Sequence, residues 1–287
     1  METILIVGAT GFLGRNLCKK IWNDYRDKYK IIGTGLSPSK ISLLNSLCKE
    51  WGATENSISC KLIDIFNDAD KLEDIFKNNN IDYVIHLGAL KYLDICEKEP
   101  IKCIETNIIG SLNLIKCANK YSVKNMIALS TDKANNPINT YGMSKYLMEE
   151  MVLNYNYSIY QGVNFFWSDG SVADIWYRQI KNGSNISITN PQQIRYYSEV
   201  NDICKDILNN INIHNTKITP SNIIEIKLND LYMAFIKYFD YNMCKIYVSG
   251  NRDGEKHIEI IDDNINIEIY NESQIIELID RTIKYVM

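Results

Sequence analysis

None of the eight cysteines, Cys18, Cys48, Cys60, Cys96, Cys103, Cys117, Cys204 and Cys244, stands in a Cys-x-x-Cys spacing, and the three histidines, His86, His214 and His257, are far apart. That scatter removes the usual signatures of structural zinc and of a disulfide framework, so no metal site is expected. The cysteines read instead as small core hydrophobes in a reducing compartment. No basic run occurs and the net charge is −4, which argues against a nucleic-acid surface. An apolar stretch of membrane-spanning length is also missing, and the first apolar run starts almost at Met1 with no secretory leader before it. A soluble, cytoplasmic protein with no membrane partner is the expectation. Neither an internal repeat nor a low-complexity linker interrupts the chain.

What is present is alternation. The 287 residues, 46% of them hydrophobic, suffice for one large domain or a domain with a smaller lobe. Apolar runs at 4–7, 30–33, 59–63, 83–87, 125–129 and 158–163 read as buried strands. Helical stretches at 41–51, 70–77, 101–121 and 140–153 fall between them. Strand and helix taking turns predicts an α/β fold, a doubly wound parallel sheet covered on both faces. Beyond residue 163 the rhythm loosens into helices near 172–181, 200–211 and 273–285, with short strands between the last two.

Two motifs sit where such a fold places ligands. The first strand runs directly into Gly8-Ala9-Thr10-Gly11-Phe12-Leu13-Gly14 and then an amphipathic stretch. Glycines at this turn let backbone amides approach a diphosphate, which then rests on the positive end of the following helix. The spacing is GxxGxxG rather than GxGxxG. The second motif follows the fifth strand: Ser130-Thr131-Asp132-Lys133-Ala134, then Tyr141 and, one helical turn later, Lys145. Ligands in open α/β sheets bind beyond the carboxyl ends of strands, so this loop would project into the site. Tyr141 and Lys145 share a helix face at i and i+4, and an ammonium there is expected to lower the phenol's pKa. Asp132 and Lys133 add an acid and a base.

GATGFLG, His86-Leu87-Gly88-Ala89, Ser-Thr-Asp-Lys-Ala and Tyr-Gly-Met-Ser-Lys together resemble the extended short-chain dehydrogenase/reductase family. The stretch from Ala89 to Lys145, with Thr106-Asn107-Ile108 and Asn136-Pro137-Ile138-Asn139, resembles its soluble, C5-inverting UDP-N-acetylglucosamine 4,6-dehydratase branch. The likeness is dense from Met1 to Lys145 and patchy afterward. It implies a Rossmann-like NADP-binding domain over 1–163 and a smaller substrate-binding lobe over 164–287, with segments that can interleave. It also implies a UDP-sugar substrate and self-association as a dimer or hexamer.

Cofactor choice has a physical handle. The position about 20 residues past the glycine turn, where NAD enzymes carry a carboxylate for the ribose hydroxyls, is Thr34-Gly35-Leu36-Ser37 here. Ser37, Ser39 and Lys40 could hold a 2′-phosphate, so NADP is favoured over NAD. The resemblance adds Asp64 and Ile65 as adenine contacts and Ala89 beside the nicotinamide half. Tyr141, with Lys145, is expected to take the proton of a sugar C4 hydroxyl as the alcohol is oxidised, with Thr131 in contact. Asp132 then acts as acid toward the C6 hydroxyl. Lys133 stands where C5-retaining dehydratases have Glu and can act as base at C5 if desolvation and Lys145 keep it neutral. The resemblance assigns Lys91, Asn164, Arg195, Arg252 and Glu255 to the nucleotide sugar. Two departures stand out there: Gln161-Gly162-Val163 replaces the usual Arg-Tyr-Gly, and Asp169 replaces an arginine. A nucleotide-sugar 4-epimerase or 4-reductase, and a degenerate fold that only senses NADP, remain as alternatives.

Overall fold

The computed structural model describes residues 1–241, 247–248, 250 and 265–286. The chain divides into two compact units, Met1–Gln161 with Cys204–Thr219, and Gly162–Ile203 with Pro220–Met287.

The first unit is built on the strands β1 (Glu2–Val7), β2 (Tyr29–Gly35), β3 (Ile58–Leu62), β4 (Tyr83–His86), β5 (Asn125–Thr131) and β6 (Ser158–Gly162). Their order across the sheet is β3-β2-β1-β4-β5-β6, followed at the edge by Lys217–Ile218, with parallel registers. This is the Rossmann-like doubly wound arrangement. Chain direction across the sheet reverses between β1 and β4, the crevice in which such folds bind ligands. Both faces of the central strands are covered, so Ile4, Leu5, Ile6 and Val7 are all buried without alternation. One core cluster joins Leu5, Val7 and Val84 of the sheet to Leu72, Phe76, Leu114 and Met148 of the covering helices.

Those helices are α1 (Phe12–Tyr25), α2 (Pro38–Glu50), α3 (Ala69–Asn78), α4 (Leu93–Lys98), α5 (Pro100–Ile104), α6 (Ser111–Lys120) and α7 (Thr140–Asn154). α2 starts earlier than hydrophobic spacing indicates because Ser37 caps it and Pro38 occupies the first turn. The single helix expected over 101–121 is instead α5 and α6 joined by a π-helical turn, Glu105–Gly110. Two close contacts lie at this turn. A Cβ on Gly110 would lie 2.8 Å from Ile65 Cγ1, and the Asn107 carbonyl accepts a bond from the Ser111 hydroxyl at 2.7 Å.

The second unit holds a four-stranded mixed sheet in the order Ile267–Ile269, Ile223–Lys227, Ile194–Ser198, Asn164–Phe165. Its core is aromatic, with Trp167 stacked on Phe235 at 5.4 Å and Trp176 edge-on to Phe235 at 5.6 Å. Leu228–Tyr238 is a helix rather than short strands. Leu228, Leu231, Tyr232 and Phe235, buried at helical spacing, form its inner face.

Candidate active site

The glycine turn after β1 is a cradle that side chains would fill. Gly8 has φ +86°, and a Cβ there would lie 2.9 Å from the Gly88 amide nitrogen. At Gly14 a Cβ would meet the Gly8 carbonyl oxygen at 2.4 Å, so α1 packs against the turn only because Gly14 lacks one, as Gly8 must for the turn to sit against Gly88. Gly11 N donates to Gly8 O at 3.0 Å, and Thr10 is buried with its carbonyl taken by Arg15 Nη1 at 2.9 Å. No side chain caps α1, which begins at Phe12 and Leu13 with Gly11 before it. Uncapped amides at a positive helix end, reached through bare glycine backbone, fit a diphosphate.

Beside this cradle lies a cavity of about 670 Å³, lined by Leu36, Asp64, Phe66, Ala89, Pro100 and Thr106 among others. Asp64 shapes its wall: Oδ1 accepts from Phe66 N at 2.9 Å, and Oδ2 accepts from Asn67 Nδ2 at 2.9 Å. The Ile65 side chain points into the core, leaving its backbone as the part that could meet an adenine. Ser37 and Lys40 open α2 at the end of β2. The Ser37 hydroxyl lies 2.8 Å from Ser39 Oγ and accepts from Lys40 N at 3.4 Å. These surroundings fit a dinucleotide.

The end of β5 and the start of α7 carry the residues expected to be catalytic, Thr131, Asp132, Lys133, Tyr141 and Lys145. Ser130 and Thr131 belong to the strand, and Asp132–Ala134 form a single 3-10 turn behind it. Asn139 caps α7 by accepting from Gly142 N at 2.7 Å, which places Tyr141 in the first turn, where the helix dipole favours an anion. Loop and helix touch at Gly142, where a Cβ would lie 2.4 Å from the Lys133 carbonyl oxygen. The Asp132 Oδ1 atom accepts from the Thr131 hydroxyl at 2.8 Å and from Lys133 Nζ at 3.1 Å. Asp132 Oδ2 is buried without a hydrogen-bond partner. The Asp132–Lys133 pair is largely enclosed, with side chains 4% and 19% exposed. Burial pushes the Tyr141 phenol well above its usual value, with Asp132 and Cys96 adding to the rise; Lys133 and a hydrogen bond shared with Thr131 work against it.

Lys133 is a cation that lowers that phenol, and Lys145 follows one helical turn after Tyr141 on α7. Lys145 is itself buried, its ammonium 3.8 Å from the Met148 thioether. Burial pulls it down to about 8, with Glu149 and Cys103 holding it up. A thioether is a weak acceptor, so this ammonium has donors to spare for hydroxyl groups. Behind it Asn107 binds three elements together. Its Oδ1 accepts from Leu90 N at 2.7 Å, and its amide nitrogen donates to Leu90 O at 3.0 Å and Ser144 Oγ at 3.0 Å. Gly142 and Ser144 stand within the Tyr-Gly-Met-Ser-Lys motif with no role read for them from the sequence, and Glu149 lies outside it. Glu149 alone left a signal, a carboxylate at i+4 from Lys145 on a helix.

The residues assigned to the nucleotide sugar are spread. Lys91 is exposed, its Nζ 5.6 Å from the Tyr92 ring centre. In the second unit Asn164 Nδ2 donates to Tyr196 O at 3.0 Å. Arg195 is buried there, donating from Nη1 to Ile194 O at 3.1 Å. Arg252 and Glu255 lie outside the described residues. Among the described residues no helix is long and apolar enough to cross a membrane.

Comparison with known proteins places these features in a lineage. Residues 4–278 match the model of a family described as "Polysaccharide biosynthesis protein". An uncharacterized membrane protein of Methanocaldococcus jannaschii is 29% identical, over 94% of this chain and 82% of that protein. An inverting UDP-N-acetylglucosamine 4,6-dehydratase of Campylobacter jejuni is 29% identical, over 91% of this chain and 77% of its own length. A UDP-glucose 4-epimerase of Rickettsia bellii is 30% identical, over 90% and 76%. In fold, the chain is similar to the dTDP-glucose 4,6-dehydratase of Streptomyces venezuelae solved with NAD bound, with TM-score 0.80 and 14% identity over 99% and 96% of the two chains.

Proposed function

The chain belongs to the polysaccharide biosynthesis protein family, among the extended short-chain dehydrogenases/reductases, and from that premise we propose that it is an NADP-dependent UDP-N-acetylglucosamine 4,6-dehydratase that inverts C5. The observation that carries this reading is the buried Asp132 carboxylate beside Tyr141, one oxygen held by Thr131 and Lys133 and the other without a partner. Such a carboxyl group is equipped to give a proton to a leaving hydroxyl. An epimerase has no leaving hydroxyl to protonate and no use for it.

A nicotinamide bound at the cradle supplies reversible two-electron oxidation of an alcohol. The glycine turn with the Phe12 and Leu13 amides would hold its diphosphate, Asp64 and Ala89 would line its course, and Ser37 and Lys40 would meet a 2′-phosphate. As the phenolate that the Lys133 ammonium favours, Tyr141 Oη takes the proton of the C4 hydroxyl, placed by the Thr131 hydroxyl, as C4 becomes a ketone. The ketone acidifies the C5 hydrogen. The Lys133 ammonium passes its proton to the Asp132 carboxylate 3.1 Å away, and the neutral Nζ then removes the C5 proton while the Asp132 carboxyl group protonates the C6 oxygen, which departs as water. A proton then returns to C5 and C6 ends as a methyl group, with no net consumption of cofactor. Asn164, Arg195, Lys91, Arg252 and Glu255 are proposed to grip the UDP-sugar. Exposed Ile101, Met143, Tyr146 and Leu147 on α5 and α7 support self-association.

Incubation with UDP-N-acetylglucosamine in deuterated water, read by NMR, tests the reading. A new C6 methyl, deuterium at C5 and ring couplings of an inverted C5 are expected. A product changed at C4 with its C6 hydroxyl intact would select the epimerase suggested by the Rickettsia relative. Cofactor binding without turnover of any UDP-sugar would select a sensor.

A further inference from the structure

Glu149 lies one helical turn beyond Lys145 on α7, and the two residues are 4% and 3% exposed. Its carboxylate is held from two other elements. Gln161 Nε2 on β6 donates to Oε1 at 3.1 Å, and Lys217 Nζ, on the short strand at the sheet edge, sits 3.4 Å from Oε2. The same two side chains close on Asn135, the residue directly after the Asp132–Ala134 turn. Gln161 Nε2 donates to Asn135 Oδ1 at 2.9 Å and Gln161 Oε1 accepts from Asn135 Nδ2 at 3.2 Å. Lys217 Nζ also reaches Asn135 Oδ1, at 3.2 Å. One polar cluster thus ties the helix of Lys145, the sheet edge and the catalytic loop, and the chemistry above uses none of its members.

We propose that Glu149 is a positioning residue for the oxidation of the sugar alcohol: it keeps Lys145 a cation inside the protein, while Gln161 and Lys217 hold the carboxylate in place. The inference rests on the reading of Tyr141 and Lys145 as the oxidation site. An ammonium enclosed by protein with only a thioether beside it tends to shed its proton, and a nearby carboxylate opposes that. Three titratable groups bear on Lys145: Glu149 on its own helix, Cys103 on α5, and His86 on β4. His86 is kept neutral by burial, and Glu149 is the stronger of the two groups that favour the charge. Gln161 is uncharged, so Lys217 is the cation that competes with Lys145 for the Glu149 carboxylate. That competition gives opposite signs to two substitutions.

The test is the titration of Lys145 itself, followed by NMR of the full-length protein carrying isotope-labelled lysine and assigned by loss of the signal in Lys145→Met. In Glu149→Gln the midpoint should fall by about one pH unit or more, and in Lys217→Met it should rise. The alkaline limb of the C4-oxidation rate should move in the same two directions. A midpoint unmoved in Glu149→Gln, or moved the same way by both variants, overturns the proposal, since loss of packing alone has no reason to give opposite signs. If both midpoints move as stated but no UDP-sugar is oxidised, the dehydratase reading fails while the coupling of Glu149 to Lys145 stands.

Discussion

His86 shows how far a single buried side chain can set the response of the protein to acid. Its Nε2 is hydrogen-bonded to the Ser111 hydroxyl at 2.9 Å, its Nδ1 is buried without a partner, and burial with the Lys145 charge pulls it down to about 3. The unfolded chain binds a proton near the ordinary value of 6.5 and the folded chain does not, so stability is lost as pH falls below that value. Between about pH 7 and pH 5 the loss should be about 2 kcal/mol, and His86→Gln should remove most of it. Urea unfolding at the two pH values checks this; identical pH dependence in the variant would contradict it. Asp132, Lys133, Tyr141 and Lys145 stand out in the sequence as candidate reactive groups because residue type and spacing carry the signal. Their charge states do not, because those depend on enclosure. The enclosed phenol moves up, against the pull of the Lys133 cation.

Among the elements, the β5 turn and α7 work as one piece because Gly142 lets the Lys133 carbonyl sit against the helix. Gly142→Ala should cost about 1–3 kcal/mol, since the obstructing atom is backbone and the small gain in helix propensity is outweighed. Activity should fall more steeply, by about 100-fold, because displacement of the loop by about 1 Å misplaces Asp132 and Lys133. Glu150→Ala, at an exposed position of the same helix, should change neither. Thermal unfolding with steady-state kinetics reads both effects, and a fully active Gly142→Ala would refute the tight seat. The strands and the glycine turn were readable from apolar runs and punctuation. The π-helical turn was not, because one widened turn leaves helical composition unchanged while moving Asn107 onto Leu90 and Ser144. Helix Leu228–Tyr238 did announce itself at i, i+3, i+4 and i+7, but its β-favouring Tyr, Phe and Ile residues blurred the period.

For the whole molecule, the proposed reaction is a closed redox cycle in which a sugar alcohol is oxidised, the ketone drives out water, and the electrons return to the same sugar. The glycine cradle and the Asp132–Ala134 turn belong to one unit, so the proposed cofactor and reaction residues all fall within Met1–Lys145. The substrate residues proposed from the sequence lie partly on the other unit, where Asn164 and Arg195 make local bonds and nothing periodic marks their role. The measurement that bears most directly on the central claim is a single-turnover trace of nicotinamide absorbance in the wild type and in Asp132→Asn, with UDP-N-acetylglucosamine as substrate. The wild type should show brief cofactor reduction followed by full reoxidation with formation of a C6 methyl. Asp132→Asn should reduce the cofactor and stall there, the methyl yield falling at least about 100-fold. Unimpaired methyl formation in Asp132→Asn, or no cofactor reduction in the wild type, would contradict the account.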